Sequence, residues 1–246
     1  KPTAAQINDR IAFLSDREGS WGIYIMNADG SGVVQVTNYR PFSAQPSWSP
    51  NGQRIAFSSD HDGDWQIYIV NADGSNMTLL PGRPGWELNP SWSPDGQRLL
   101  YTYCYDSRDG KQCEVWAMKS DGSDRAFISA SSLLSSPKWS PDGSVIAFAH
   151  DMDGKHTNYE IYTMDSDGSD WLSLTQQPGL NLWPSWSPDG QRIAFSSNRD
   201  GDQEIYVMNR DGSEVARLTD NLTSDTNPTW SPDSKRIAFM SDRSGN

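Results

Sequence analysis

Residues Pro184-Ser185-Trp186-Ser187-Pro188-Asp189-Gly190-Gln191-Arg192-Ile193-Ala194-Phe195 spell P-x-W-S-P-D-G-x-x-I-A-F, and close copies surround Trp48, Trp92, Trp139 and Trp230. One copy reads as a strand, a tight turn and a second strand. Pro presets φ at the first turn position, and Gly takes the left-handed position of a hairpin with a bulge. Five copies at nearly equal spacing mean that one supersecondary unit has been repeated. The step from Trp to the following Ile or Leu is seven residues in all five. Ser234 replaces the turn Gly in the last copy, a departure that costs about 1 kcal/mol.

Outward from this phrase, each unit has four strand-like pieces, A to D. A is the P-x-W-S piece, and B begins at Ile11, Ile55, Leu99, Ile146, Ile193 and Ile237. C is Ile23-Tyr24, Ile67-Tyr68, Val115-Trp116, Ile161-Tyr162 and Ile205-Tyr206, while D ends in Val36-Thr37, Leu174-Thr175 or Leu218-Thr219. These short runs of β-branched and aromatic residues, bounded by Gly, Pro, Asn and Asp, have the strand signature. B and C are apolar on both alternating faces, so each sheet is expected to be covered on both sides. Asp-Gly-Ser joins C to D at Asp29, Asp73, Asp121, Asp167 and Asp211, with Gly supplying positive φ.

The other two joints vary. From B to C the step is 12 residues in three units, 16 from Leu99 to Val115 and 15 from Ile146 to Ile161. The D-to-A joints keep their length and change their residues. Successive strands of a meander run antiparallel, so A–B and C–D turns share one end while B–C and D–A loops share the other. A scaffold that varies its loops on one face usually binds there.

Composition narrows the classes of function. The 246 residues carry a formal charge of −12 and a pI near 4.5, which excludes a nucleic-acid backbone or an anionic membrane surface as partner. No apolar run approaches the roughly 20 residues of a membrane span. Eleven Trp, nine Tyr and seven Phe suit short strands packed through large rings. Lys1-Pro2-Thr3-Ala4-Ala5 reads as the start of a fragment of a longer chain, with flanking domains in the parent. Residues 1–246 are expected to form a single domain.

Four-stranded antiparallel units of 40–47 residues set around an axis describe an all-β fold, the β-propeller. The phrases P-x-W-S-P-D-G, I-A-F, S-D and I-Y-x-M-N-x-D-G-S resemble the repeats of the TolB-like propeller family over residues 10 to 243. That resemblance implies six blades with strand A lining a central channel. The pieces number six B strands but five full sets of A, C and D. Pro2-Thr3-Ala4 aligns without gaps to Pro228-Thr229-Trp230 as a degenerate A strand. Six blades with an incomplete last blade are therefore favoured, and five are the alternative.

The repeated Trp residues occupy one place in every unit and read as packing between blades, not as a sugar-binding set. The Asp-Gly pairs are turn chemistry, and Asp60, Asp62 and Asp64 lack the later Gly and Glu of a calcium loop. No metal site and no cofactor is expected. Cys104 and Cys113 flank the longest B–C joint on adjoining strands, which predicts a disulfide and an oxidising, periplasmic or extracellular compartment. G-x-S-x-G, H-E-x-x-H, P-loop and G-x-G-x-x-G patterns are absent, and His61, His150 and His156 all sit in or beside B–C loops.

The remaining candidates precede each A strand at the channel mouth: Gln45, Asn89, Ser136, Trp183 and Asn227, with Phe42, Trp86, Glu87 and Asp225 slightly farther out. This amide-rich set with aromatics suits a protein or peptide ligand. The expected function is a non-catalytic binding scaffold, not an enzyme, engaging a protein or peptide through the B–C and D–A face. The alternative is an accessory or sensor propeller, since propellers similar to this one gate prolyl-oligopeptidase-like peptidases or serve membrane kinases as sensor domains.

Overall fold

A computed structural model describes residues 10–37, 43–108, 110–131 and 136–243. Every named strand lies in an antiparallel meander, and no helix occurs among the described residues. The first sheet has three strands, β1 (Arg10–Ser15), β2 (Gly22–Asn27) and β3 (Val34–Gln35). The second contains β4 (Ser43–Trp48), β5 (Arg54–Ser59), β6 (Gln66–Asn71) and β7 (Thr78–Leu79). The third contains β8 (Trp86–Trp92), β9 (Arg98–Ser107), β10 (Gly110–Lys119) and β11 (Ala126–Ser131). In the fourth are β12 (Lys138–Trp139), β13 (Val145–Asp151), β14 (Tyr159–Asp165) and β15 (Leu172–Ser173). In the fifth are β16 (Asn181–Trp186), β17 (Arg192–Ser197), β18 (Glu204–Asn209) and β19 (Ala216–Arg217), and β20 (Asp225–Trp230) pairs with β21 (Ile237–Ser241).

Five sheets thus have three or four strands and count as blades, against the six favoured above; β20–β21 is a two-stranded remainder. Strand β20 finds its partner in β21, with Trp230 opposite Ile237. Pro2-Thr3-Ala4 lies outside the described residues. The chain divides into two compact units, Lys1–Phe127 and Ile128–Asn246.

Within each unit the core lies between successive blades. In the first, Ile23 and Ile25 meet Ile55, Phe57, Tyr68 and Val70, and Ile67 and Ile69 meet Trp92, Leu99, Tyr101 and Met118. In the second, Ala147, Ala149, Tyr159 and Ile161 meet Leu182, Trp186, Ile193 and Phe195. Both faces of B and C are therefore buried, as their unbroken apolar character requires. A fully buried Ile or Phe contributes about 1.5–3 kcal/mol, so these rows are the main source of stability. Trp92 is 6% exposed, its indole N–H donates to the Ser47 carbonyl of the preceding blade at 3.2 Å, and the Arg54 guanidinium covers its ring. Packing between blades is what the repeated Trp does.

The turns repeat down to single atoms. Ser93 Oγ donates to Asp95 Oδ1 at 2.6 Å, while the Gln97 N–H donates to the same oxygen and the Arg98 N–H donates to Ser93 Oγ. Ser187–Asp189 and Ser231–Asp233 copy the arrangement. In the C–D turn the Ser75 N–H and Oγ both donate to Asp73 Oδ1, as Ser213 does to Asp211. These hydrogen bonds hold the aspartates below the usual carboxylate range.

Candidate functional site

The positions singled out before each A strand share one backbone feature. Gln45, Asn89, Ser136, Trp183 and Asn227 all have left-handed φ, at 56, 56, 44, 54 and 53°. Each precedes a proline, whose ring disfavours the right-handed helical region for the residue before it. The register with strand B slips there, between Ala44 and Ser47, Leu88 and Ser91, Leu182 and Ser185, and Thr226 and Thr229. A β-bulge of this kind bends the strand and re-aims a side chain. Asn tolerates left-handed φ, whereas the bulk of Trp183 does so only against steric resistance.

In the first unit, the Asn89 N–H donates to Gln45 Oε1 at 3.1 Å, tying two successive bulges together. Asn89 is 3% exposed, and its Oδ1 has no hydrogen-bond partner among the described residues. In the second unit Ser136 is buried, Asn227 is half-buried, and the half-buried ring of Trp183 rests on the core of blades four and five.

The outlying candidates have different surroundings from those expected. Glu87 and Asp225 are 0% exposed, two residues before a bulge, and Asn181 occupies the same place in blade five. Arg125 donates to Glu87 at 2.5 Å and to the Tyr101 hydroxyl at 2.7 Å. Burial still pushes the Glu87 carboxyl above its ordinary value, against the pull of Arg125. Asp225 accepts from both Arg243 and Asn221. Burial alone would raise its pKa, but hydrogen bonds from Ser241, Asn221 and Arg243 bring it below the ordinary value. Asn181 donates to the Tyr159 carbonyl and accepts from Ser197 and Arg199. These three anchor the inner strand from inside. Sequence could not separate them from surface groups because their charged partners lie 18 to 38 residues away. The Trp86 ring lies under the Lys111 amine, 3.5 Å from its centroid, which covers an aromatic expected to be open. Phe42 lies outside the described residues.

The B–C insertion of blade three is an extended hairpin, not the expected loop. β9 and β10 reach ten residues each, with Cys104 directly opposite Cys113 and bonded to it. Tyr103 and Tyr105 stack along β9, and Trp116 stands edge-on to both Tyr103 and Phe127. Glu114 accepts from the Tyr105 hydroxyl and the Trp116 indole, and Arg83 covers the Trp116 ring at 4.1 Å. Alternation of Tyr with small residues on β9 was the sequence signal for strand here.

The histidines do not converge. His156 contacts Asp151 and the Tyr159 hydroxyl, while His150 packs edge-on among Phe148, Tyr162 and Trp171, and burial lowers its pKa. Asp62 accepts from the Tyr68 hydroxyl at 2.6 Å. No three His, Cys, Asp or Glu side chains group in a metal-binding arrangement among the described residues. The second unit has an open cleft of about 760 Å³ lined by Arg199, Asp200, Tyr206 and Arg217 among others. Its arginines are already engaged, Arg217 by Glu204 and Asp220 and Arg199 by Ser197 and Asn181.

The family profile described as the TolB beta propeller domain matches residues 8–179 and 169–246. TolB from Acinetobacter baumannii superposes with a TM-score of 0.78 at 23% identity, over 94% of this chain and 57% of its own. A TolB candidate from Agrobacterium tumefaciens gives 0.78 at 27% identity, over 89% of this chain and 77% of its own. An oligogalacturonate lyase solved with manganese gives 0.65 at 15% identity, over 95% and 68%. No curated protein sequence matches the chain.

Proposed function

The chain belongs to the TolB β-propeller family, and from that membership we propose that it is a non-catalytic binding propeller whose partner is a protein or peptide. One observation carries the reading. Five positions share one strained backbone geometry and carry four different side chains, Gln, Asn, Ser, Trp and Asn. The Ser-Asp turns repeat their residues with their geometry, and the left-handed positions after the Asp-Gly-Ser turns, Asn76, Asp124, Asp170 and Glu214, keep to Asn, Asp and Glu, with no aromatic among them. Non-glycine residues held at left-handed φ cost free energy, and such positions gather at functional sites. A constant frame with varied side chains at the D–A joints is the arrangement of a recognition surface. Gln45 and Asn89 are the residues assigned to it in the first unit, and Ser136, Trp183 and Asn227 those assigned in the second, where Trp183 is the aromatic anchor. The disulfide supports a periplasmic or extracellular setting. The chain spans 57% of the length of the A. baumannii TolB it resembles, so partners of a whole protein of that kind are not carried over.

The test is selection of linear peptides from a random displayed library against the purified chain, followed by calorimetry. Selected peptides are expected to bind the parent and to lose at least about tenfold in affinity, ~1.4 kcal/mol, with Trp183→Ala or Asn89→Ala. Gln97→Ala, in an A–B turn at the other end of its blade, is expected to leave affinity unchanged. Equal affinity for the parent and both bulge variants would overturn the assignment, and turnover of oligogalacturonate by the chain would overturn its non-catalytic part.

A further inference from the structure

Between the proline and tryptophan of the inner strands, four copies carry Ser47, Ser91, Ser185 and Thr229, but the third copy, in blade four, carries Lys138. Lys138 is partly buried on β12, opposite Ala147 of β13, and β12 packs against β16 of the next blade. Lys111 and Lys119 each reach an aspartate, at 3.3 and 3.6 Å. The Lys138 amine meets no acceptor among the described residues. Desolvation is the one influence on it, and lowers its pKa to about 8. In a chain of net charge −12, a lysine with no carboxylate partner among the described residues is an uncompensated cation.

The strand facing it supplies a second donor. Trp92 and Trp230 donate their indole N–H to the carbonyls of Ser47 and Ser185 on the preceding inner strand, at 3.2 and 3.1 Å. The equivalent acceptor for Trp186 is the carbonyl of Lys138. That bond is not made, and Trp186 Nε1 is buried without a partner. Trp48 and Trp139 also lack one, so the orphan N–H is not the signal by itself. What distinguishes Trp186 is that its missing acceptor belongs to the residue with the unpaired amine. A cationic donor that still touches solvent and a buried neutral donor therefore stand on neighbouring strands of the second unit, and neither has an acceptor among the described residues.

We propose that Lys138 and Trp186 form a binding site for a carboxylate between the inner strands β12 and β16. A monoanion matches the one cation, Lys138, that the described residues of the site offer without an ion-pair partner. A phosphate dianion would call for a second, and the nearby Arg210, whose guanidinium lies 5.5 Å from the Trp186 ring, is held by Asp142 at 2.9 Å. Leu182 and the indoles of Trp183 and Trp186 supply apolar walls nearby, which suit an organic acid. The carboxylate comes either from a small organic acid or from the free C-terminus of a peptide. Occupancy of this site does not depend on the bulge residues binding a protein.

Reductive methylation with ¹³C-formaldehyde labels the six lysines for NMR, and Lys138 is assigned by the signal missing in Lys138→Ser. Titration uses benzoate, a short peptide with a free C-terminus, the same peptide amidated, and inorganic phosphate. The expected result is a saturable shift of the Lys138 signal with benzoate, the free-acid peptide or both, and none with the amidated peptide. Saturation by benzoate marks a small acid as sufficient, and saturation by the free-acid peptide alone marks a chain terminus. Calorimetry on unmodified protein is expected to show at least tenfold weaker binding for Lys138→Ser and about three- to tenfold weaker binding for Trp186→Phe. Serine is the residue of three other copies, so the first variant keeps the strand, and the parent signal gives a readout that needs no variant. The proposal is overturned if no carboxylate saturates the Lys138 signal, if Lys138→Ser binds as the parent does, or if phosphate binds more tightly than every carboxylate.

Discussion

Removing Arg125 should leave Glu87 as a charge buried without its partner. Glu87 is 0% exposed, and the Arg125 side chain is 11% exposed. Arg125 also donates to Tyr101 and to the Pro81 carbonyl, so it ties the approach to β8 onto blade three. Breaking one side of such a buried pair costs about 3–5 kcal/mol. For a chain of this size that is a fall in melting temperature of about 6–20 °C. Arg125→Met keeps much of the aliphatic volume and removes only the donors. Urea denaturation of Arg125→Met, Glu87→Gln and the double variant closes a cycle, in which the double variant is expected to be less destabilised than the two single losses added together. The pH dependence has a definite sign. Burial already raises the folded-state pKa of Glu87, and losing Arg125 raises it further above the unfolded value of about 4.3. Protonation then favours the folded state, so the deficit of Arg125→Met relative to the parent is expected to shrink as pH falls from 7 towards 5. Strict additivity in the cycle, or a deficit that grows on acidification, would refute the buried-pair account.

Reduction of the Cys104–Cys113 bond, or Cys113→Ser, should cost about 2–3 kcal/mol from loop-closure entropy, and a thiol assay before reduction should find none free. Ser234 has φ 58° where the first four copies have glycine at 65 to 72°, so Ser234→Gly should stabilise the chain by somewhat under about 1 kcal/mol, because the Asp189 N–H loses its bond to Ser234 Oγ. Asp225 has a depressed folded-state pKa and so contributes stability above the unfolded value of about 3.9. That contribution is lost as pH falls through the folded pKa, and Asp225→Asn should show a flatter melting-temperature profile than the parent below pH 4, measured by calorimetry.

The strand, turn and core pattern was legible in the sequence because each depends on neighbours a few residues away. Pro-Asp-Gly and Asp-Gly-Ser specify their turns locally, and the apolar B and C pieces announce burial on both faces. The facing cysteines were readable for the same reason, since a hairpin fixes its own register. What needed the tertiary structure was everything set by distant residues. Arg125 and Arg243 turn Glu87 and Asp225 from surface candidates into buried anchors, and Lys111 covers Trp86. Backbone φ at Gln45, Asn89, Ser136, Trp183 and Asn227 was equally hidden, because four unlike side chains share one left-handed geometry, accompanied at all but Ser136 by a bulge that only strand pairing imposes. Five repeats of one phrase determined the kind of blade; which of its polar groups find partners and which stay unmet, Lys138 and Trp186 among them, was decided by the packing of one blade on the next.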